Sequence, residues 1–255
     1  MMELLLIALI AMIASLLTFF SGFGLGTILT PFFLLMMPVE SAILSTAIVH
    51  LLNNLFKTVL IGGHLNWKYA ISFGGAAIVG ALLGAQLLHY FAAYNLDLQV
   101  PLIGEVEAIK FCVGLLIVIF ALIELLPKVQ FKGSSVPFLV SGGILSGFFG
   151  GLSGHQGALR SAFLVKSGLQ KEAFIATGIF IALCVDLARI PIYTSSLGFS
   201  FLQENADLIL TAVLAAFLGA ILGKRFMKKL TMKLIQWLVG IFMVIMGLLT
   251  MLDLL

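Results

Sequence analysis

Three groups of polar residues interrupt a chain that is otherwise almost wholly apolar. The first is the run "GGLSGHQGALR" at 150–160, where Ser153, His155, Gln156 and Arg160 stand among Gly150, Gly151, Gly154 and Gly157. The second is His50, Asn53, Asn54 and Lys57, whose spacings of 3, 4 and 7 put them on one helical face. The third is Asp186 with Arg189, deep in an apolar stretch. Together they supply many donors and cations but one carboxylate. A matching glycine-rich break, "SGFGLG" at 21–26, holds Gly22, Gly24 and Gly26. Neither break contains an Asp or Glu that could ligate a cation. Each is followed by a short apolar piece that reads as a helix, and a helix N-terminus offers free N–H groups and a positive dipole end. Glycines let that backbone come close to a ligand. The chemistry favoured is capture of a small anion.

The candidate binding set is therefore Gly22, Gly24, Gly26, Asn53, Asn54, Ser153, Gly154, His155, Gln156, Gly157 and Arg160. His50, Lys57, Asp186 and Arg189 are candidates for coupling or gating, because buried charge in a membrane usually faces a cavity or a partner. No catalytic residue, metal or cofactor is implied. Each group also has a plainer reading. Asp186 can pair with Arg189 at i,i+3 or with Arg160; Lys57 can snorkel to the interface; His155 and Gln156 can cap a helix. His64 and His89 lie near helix ends, and Trp67 and Trp237 read as interface anchors. Cys112 and Cys184 sit in apolar runs and read as core residues.

The elements that must position these groups are membrane helices. Of 255 residues, 62% are hydrophobic and 10% charged, against roughly 25% charged in a soluble domain, and mean hydropathy is +1.21. The N-terminal apolar stretch carries Glu3 and no basic flank, so it reads as a retained helix rather than a signal peptide. A helix needs about 20 apolar residues to span. Long candidates are 2–20, 42–62, 69–92, 107–126, 136–150, 172–192, 206–223 and 232–252, with half-helices at 26–37 and 157–166 after the two breaks.

The halves match. At an offset of 131, Gly26 falls on Gly157, Ala42 on Ala173, Thr46 on Thr177 and Ile48 on Ile179. "GALLG" (80–84) corresponds to "GAILG" (219–223), and "VGLLIVI" (113–119) to "VGIFMVI" (239–245). The order is the same in both halves, which marks an internal repeat. The fold class expected is an all-α polytopic membrane protein built as an inverted repeat. Repeat 1 covers 1–127 (broken hairpin 2–37, then three helices), and repeat 2 covers 134–255 (broken hairpin 136–166, then three helices).

Charge sorts the loops. If each broken segment is a hairpin that returns to its starting side, Lys68, Lys128, Lys132, Lys166, Lys171, Lys224, Arg225, Lys228, Lys229 and Lys233 share one side with Glu172. Glu3, Glu40, Asp97, Glu105, Glu107, Glu204, Asp207 and Asp253 share the other with Lys110 and Arg189. A single crossing per broken segment would mix the two sets. The positive-inside rule thus favours hairpins, both termini outside, and a basic cytoplasmic face. The two tips then meet near the midplane, an arrangement found in many secondary transporters.

Two other functional classes match parts of the sequence. Gly151-Leu152-Ser153-Gly154 has the G-x-S-G form of an intramembrane serine protease, but such chemistry needs a His to take the Ser proton. The four His residues are 50, 64, 89 and 155, and none lies on a helix after Ser153. An anion channel with a glycine-tipped filter is the other alternative.

The stretches 21–54 and 146–178 resemble the two signature regions of the TauE/SafE sulfite-exporter family of transmembrane permeases, and the likeness in length and spacing runs over nearly the whole chain. The resemblance implies a non-enzymatic permease of the inner membrane that carries sulfite, sulfonates or similar sulfur-containing anions. The second region departs from the usual pattern: His155 and Gln156 occupy a glycine run, Ala162 stands where Pro31 stands in the first half, and Arg160 is added. The expected partners are a small anionic substrate, the lipid bilayer and a coupling proton or ion, with no nucleic acid. Homo-oligomer formation is left open.

Overall fold

The computed structural model describes residues 2–21, 25–94, 96–101, 104–125, 131, 133–226 and 232–254. Its helices are α1 (Met2–Ser21), α2 (Gly26–Phe33), α3 (Val39–Ile61), α4 (Trp67–Tyr94), α5 (Ala108–Leu125), α6 (Val136–Ser153), α7 (Gly157–Leu164), α8 (Lys171–Glu204), α9 (Ala206–Phe226) and α10 (Met232–Met251). Six of these, α1, α3, α4, α6, α8 and α9, are long and apolar enough to cross a membrane, and α5 and α10 contribute shorter apolar segments. Helix is the natural state for such a chain. Lipid offers no hydrogen bonds, so each spanning segment must satisfy its backbone internally.

The purely helical expectation needs one amendment. Asp97–Val100 (β1) and Gly104–Glu107 (β2) pair antiparallel, Asp97 opposite Glu107 and Val100 opposite Gly104. Leu98, Val100 and Val106 alternate there with Asp97, Gln99, Glu105 and Glu107, the period of a strand. Val106 is buried, and its neighbours Glu105 and Glu107 are exposed.

Helix ends and breaks have identifiable local causes. Pro137 lies at the start of α6, where a missing N–H is harmless. Gly154 ends that helix in the left-handed region (φ 81°) and donates its N–H to Gly150 O. α8 contains Pro191 and is broken at Gly198, whose backbone is non-helical (φ 79°, ψ 163°), so it runs on past residue 192 as two segments.

Small residues bring helices into close contact. α4 packs along α6, α1 along α9, α5 along α10 and α3 along α8. A methyl group at Gly80 or Gly84 of α4 would overlap the backbone of Ile144 or Phe148, and one at Gly143, Gly147 or Gly151 of α6 would overlap the backbone of α4. Gly219 of α9 meets the Met12 carbonyl in the same way, and Gly114 of α5 meets Gly247 and Met251 of α10. Such contacts replace the hydrophobic drive that lipid removes. The two short helices lie in the interior. Every residue of α2 is buried, as are Gly157, Ala158, Arg160 and Ala162–Leu164 of α7.

Candidate functional site

The break after α6 and the start of α2 meet inside the bundle. A methyl group on Gly26 would stand 3.1 Å from Gly154 O, and one on Gly154 would stand 3.2 Å from Thr30 Oγ1 and 3.4 Å from an Arg189 guanidinium nitrogen. Gly22 and Gly24 lie outside the described residues. Gly157 opens α7.

The side chains of the second break are sealed. Ser153 Oγ donates to Phe149 O (3.0 Å), and His155 Nδ1 donates to Ser153 O (2.7 Å). The His155 ring stacks on Phe120 with centroids 6.2 Å apart, while its Nε2 and both amide atoms of Gln156 are buried without a partner. Neither residue caps α7 through its side chain. Thr30 Oγ1 and Thr46 Oγ1 are likewise buried and unbonded, two polar positions that sequence reasoning passed over. The protease geometry is missing as well, because His155 bonds the Ser153 carbonyl and not its hydroxyl.

Arg160 stands on the first turn of α7 and is 6% exposed. Its guanidinium lies across Gly178 of α8, where a methyl group would be 3.3 Å from Nε. Facing it is the polar side of α3, with His50, Asn53, Asn54 and Lys57 all buried. His50 Nδ1 is 2.6 Å from Asp186 Oδ2, and Asn54 Nδ2 is 3.2 Å from His50 Nε2. Nδ1–H donates to the carboxylate, and the Asn54 amide lies against the Nε2 side of the ring.

The other carboxylate oxygen of Asp186 accepts from Arg189 Nε (3.0 Å) and Nη2 (2.7 Å). The i,i+3 pair read from the sequence is therefore present, and His50 joins it from a residue 136 positions earlier. Arg189 Nη1 also donates to Gly150 O (2.8 Å), and Tyr193 OH donates to Gly151 O. α8 thus holds the last carbonyls of α6, which a helix end leaves without internal partners.

Lys57 does not snorkel away. It is 4% exposed, its Nζ lies 5.5 Å over the Phe19 ring, and the Asn53 amide oxygen accepts from it at 3.2 Å. In that orientation the Asn53 nitrogen donates to Ala216 O (3.2 Å), so Asn53 ties α3 to α9 and meets the cleft through Lys57.

His50, Asn54, Lys57 and Arg160 converge on one narrow cleft of about 30 Å³. Thr18, Phe19, Leu25, Phe174 and Gly178 complete much of its wall. The sequence candidates therefore separate. His50, Asn54, Lys57 and Arg160 reach the cleft, whereas Asn53, Ser153, His155 and Gln156 stand outside its lining. Nothing in the sequence marked Phe19 or Phe174, which sit among other apolar residues. Among the described residues there is no cluster of His, Cys, Asp and Glu suited to a metal ion.

A family model described as Sulfite exporter TauE/SafE matches residues 7–250. No curated protein and no solved structure matches the chain.

Proposed function

We propose that this chain, which belongs to the sulfite exporter TauE/SafE family, moves a small sulfur-containing anion such as sulfite or a sulfonate across the inner membrane by alternating access. Membership makes it a multi-pass membrane transporter and not an enzyme. The finer statement rests on one observation: Lys57 and Arg160, two basic side chains from different helices, line the same cleft beside His50 and Asn54. Ionisable side chains buried in a membrane protein usually face a cavity or pair with one another, and such residues commonly mark a substrate pathway.

The packing supports an inverted repeat of 1–127 and 134–255. Exchanging the halves turns the α1–α9 contact into the α6–α4 contact, and returns α3–α8 and α5–α10 to themselves. The glycines used at α4–α6 and at α9–α1 are those of the corresponding "GALLG" and "GAILG" steps. The proposed anion contacts are Arg160, Lys57 and Asn54 in the cleft, with the backbone around Gly22, Gly24, Gly26, Gly154 and Gly157 approached as the site rearranges.

The test is flux of labelled sulfite into liposomes holding the purified protein. Saturable uptake that is accelerated by unlabelled anion on the far side, and lost in Arg160→Ala, is expected. Uptake that rises linearly with concentration and shows no such exchange would instead indicate a channel.

A further inference from the structure

We infer that the hydroxyls of Thr30 and Thr46 hold the oxyanion at a second station, where the two glycine breaks meet and directly beyond the cleft. The inference rests on the reading of the cleft as the anion site, and adds to it two residues that contact the anion during its passage.

The cleft leads to these hydroxyls. Leu25 lines it, and the next residue, Gly26, stands at the junction of the breaks. A methyl group there would be 3.1 Å from Gly154 O, 3.4 Å from Thr46 Cγ2 and 3.9 Å from Thr30 Oγ1. Thr46 precedes His50 by four residues on α3, which places it on the same helical face and about 6 Å further along the axis. The polar face that lines the cleft through Lys57, Asn54 and His50 therefore continues to Thr46.

Both hydroxyls depart from what the chain does elsewhere. A helical threonine can satisfy its hydroxyl on the carbonyl four residues back, and Thr18, Thr58 and Thr250 do so at 2.7, 2.8 and 2.8 Å. Thr177, which falls on Thr46 at the offset of 131, accepts from the Asn66 N–H at 3.1 Å. Thr30 and Thr46 are each 0% exposed, and neither hydroxyl has a hydrogen-bond partner. Two residues beyond Gly154, the Gln156 amide is buried and unbonded as well. Polar groups buried without partners carry their desolvation cost with no return, and each such group asks for an explanation. A passing oxyanion supplies one. Hydroxyls and an amide N–H can all donate to its oxygens. Arg189 Nη1 flanks the same point: a methyl group on Gly154 would be 3.4 Å from it and 3.2 Å from Thr30 Oγ1. Donors beside a guanidinium suit an anion better than a metal cation. Neutral donors also bind loosely enough to let the anion leave again.

The experiment pairs melting of the purified full-length protein in detergent with labelled sulfite flux in liposomes, for Thr30→Val, Thr46→Val and the corresponding Ser variants. Valine removes the hydroxyl and keeps nearly the same volume. Each Val variant is expected to melt at or above the wild-type temperature, since no hydrogen bond is lost. Its maximal sulfite flux is expected to fall about tenfold or more, the effect of losing a hydrogen bond to a charged group. The Ser variants should keep most of the flux. A Val variant that melts lower than wild type, or does not fold, makes the hydroxyl structural and overturns the inference. Unchanged flux in either Val variant overturns it too, as does an equal loss in the Val and Ser variants. A loss of flux that added sodium restores assigns the hydroxyls to a cation and also overturns it. Saturable wild-type flux with unaffected Val variants leaves the transport reading standing, whereas no saturable flux in wild type removes both.

Discussion

At the scale of single residues, Asp186 is the group on which most of the buried polar structure depends. It bonds His50 and Arg189, and Arg189 in turn bonds Gly150 O at the end of α6. Removing one member of a buried pair leaves the other charge uncompensated, at a cost of about 3–5 kcal/mol. Asp186→Asn should therefore lower thermal stability sharply in detergent, and Arg189→Met should do the same. The double variant should cost clearly less than the two single losses combined, because it removes both charges together. Full additivity would mean that the pair is not coupled. The sequence made half of this cluster legible, since a 3, 4, 7 spacing places His50, Asn53, Asn54 and Lys57 on one face and i,i+3 joins Asp186 to Arg189. It could not show that His50 reaches across 136 residues to the same carboxylate, because that contact depends on how α3 packs on α8. The same packing bears on proton coupling. Of the two buried histidines among the sequence candidates, His155 is stacked on Phe120 and bonded to a carbonyl, whereas His50 lines the cleft. If transport is coupled to protons, His50→Gln should abolish the response of sulfite flux to an imposed pH gradient and His155→Gln should leave it. The reverse pattern would return the role to His155.

At the scale of elements, the glycine steps decide where helices meet. Gly147 of α6 lies against the Ala77 carbonyl of α4, and Gly219 of α9 lies against the Met12 carbonyl of α1. Gly75, also on α4, has open space where a side chain would begin. Overfilling a close contact typically costs about 1–3 kcal/mol. Gly147→Leu and Gly219→Leu should each reduce the yield and melting temperature of monodisperse protein, while Gly75→Ala should be silent. Similar behaviour of all three would show that close approach is not what these glycines supply. The steps could be read from sequence as small residues four apart, but their partners could not. α4 pairs with α6, although the strand pair and α5 lie between them in sequence, and no local pattern encodes that choice. Two other features follow local rules that apolar periodicity hides. Gly198 breaks α8 in the part that runs on beyond the 172–192 span read from the sequence, and the strand pair at 97–107 sits in a segment short enough to pass for a loop.

At the scale of the whole molecule, one experiment tests the orientation proposed from charge and the proposed repeat structure together. The basic ends of the chain's loops gather on one side only if the segments 2–37 and 136–166 each re-emerge where they entered, which also sets the two halves antiparallel. Gln99 on β1 and Gln170 before α8 are both exposed and belong to opposite sides on this reading. In a background with Cys112 and Cys184 replaced by Ser, Gln99→Cys should react with an impermeant thiol reagent applied to intact cells. Gln170→Cys should react only after the membrane is opened. Labelling of both from outside would mean that an odd number of crossings does not separate them, and the inverted repeat would fail with the hairpins. The expected result carries a mechanical consequence. Arg160 belongs to the second half and Lys57 to the first, so an anion held by both joins halves that are inserted in opposite directions. Reactivity of a cysteine at Ala182, which lines the cleft, should then fall when sulfite is added, and Lys57→Met should weaken that protection. Unchanged reactivity at saturating sulfite would separate binding from closure.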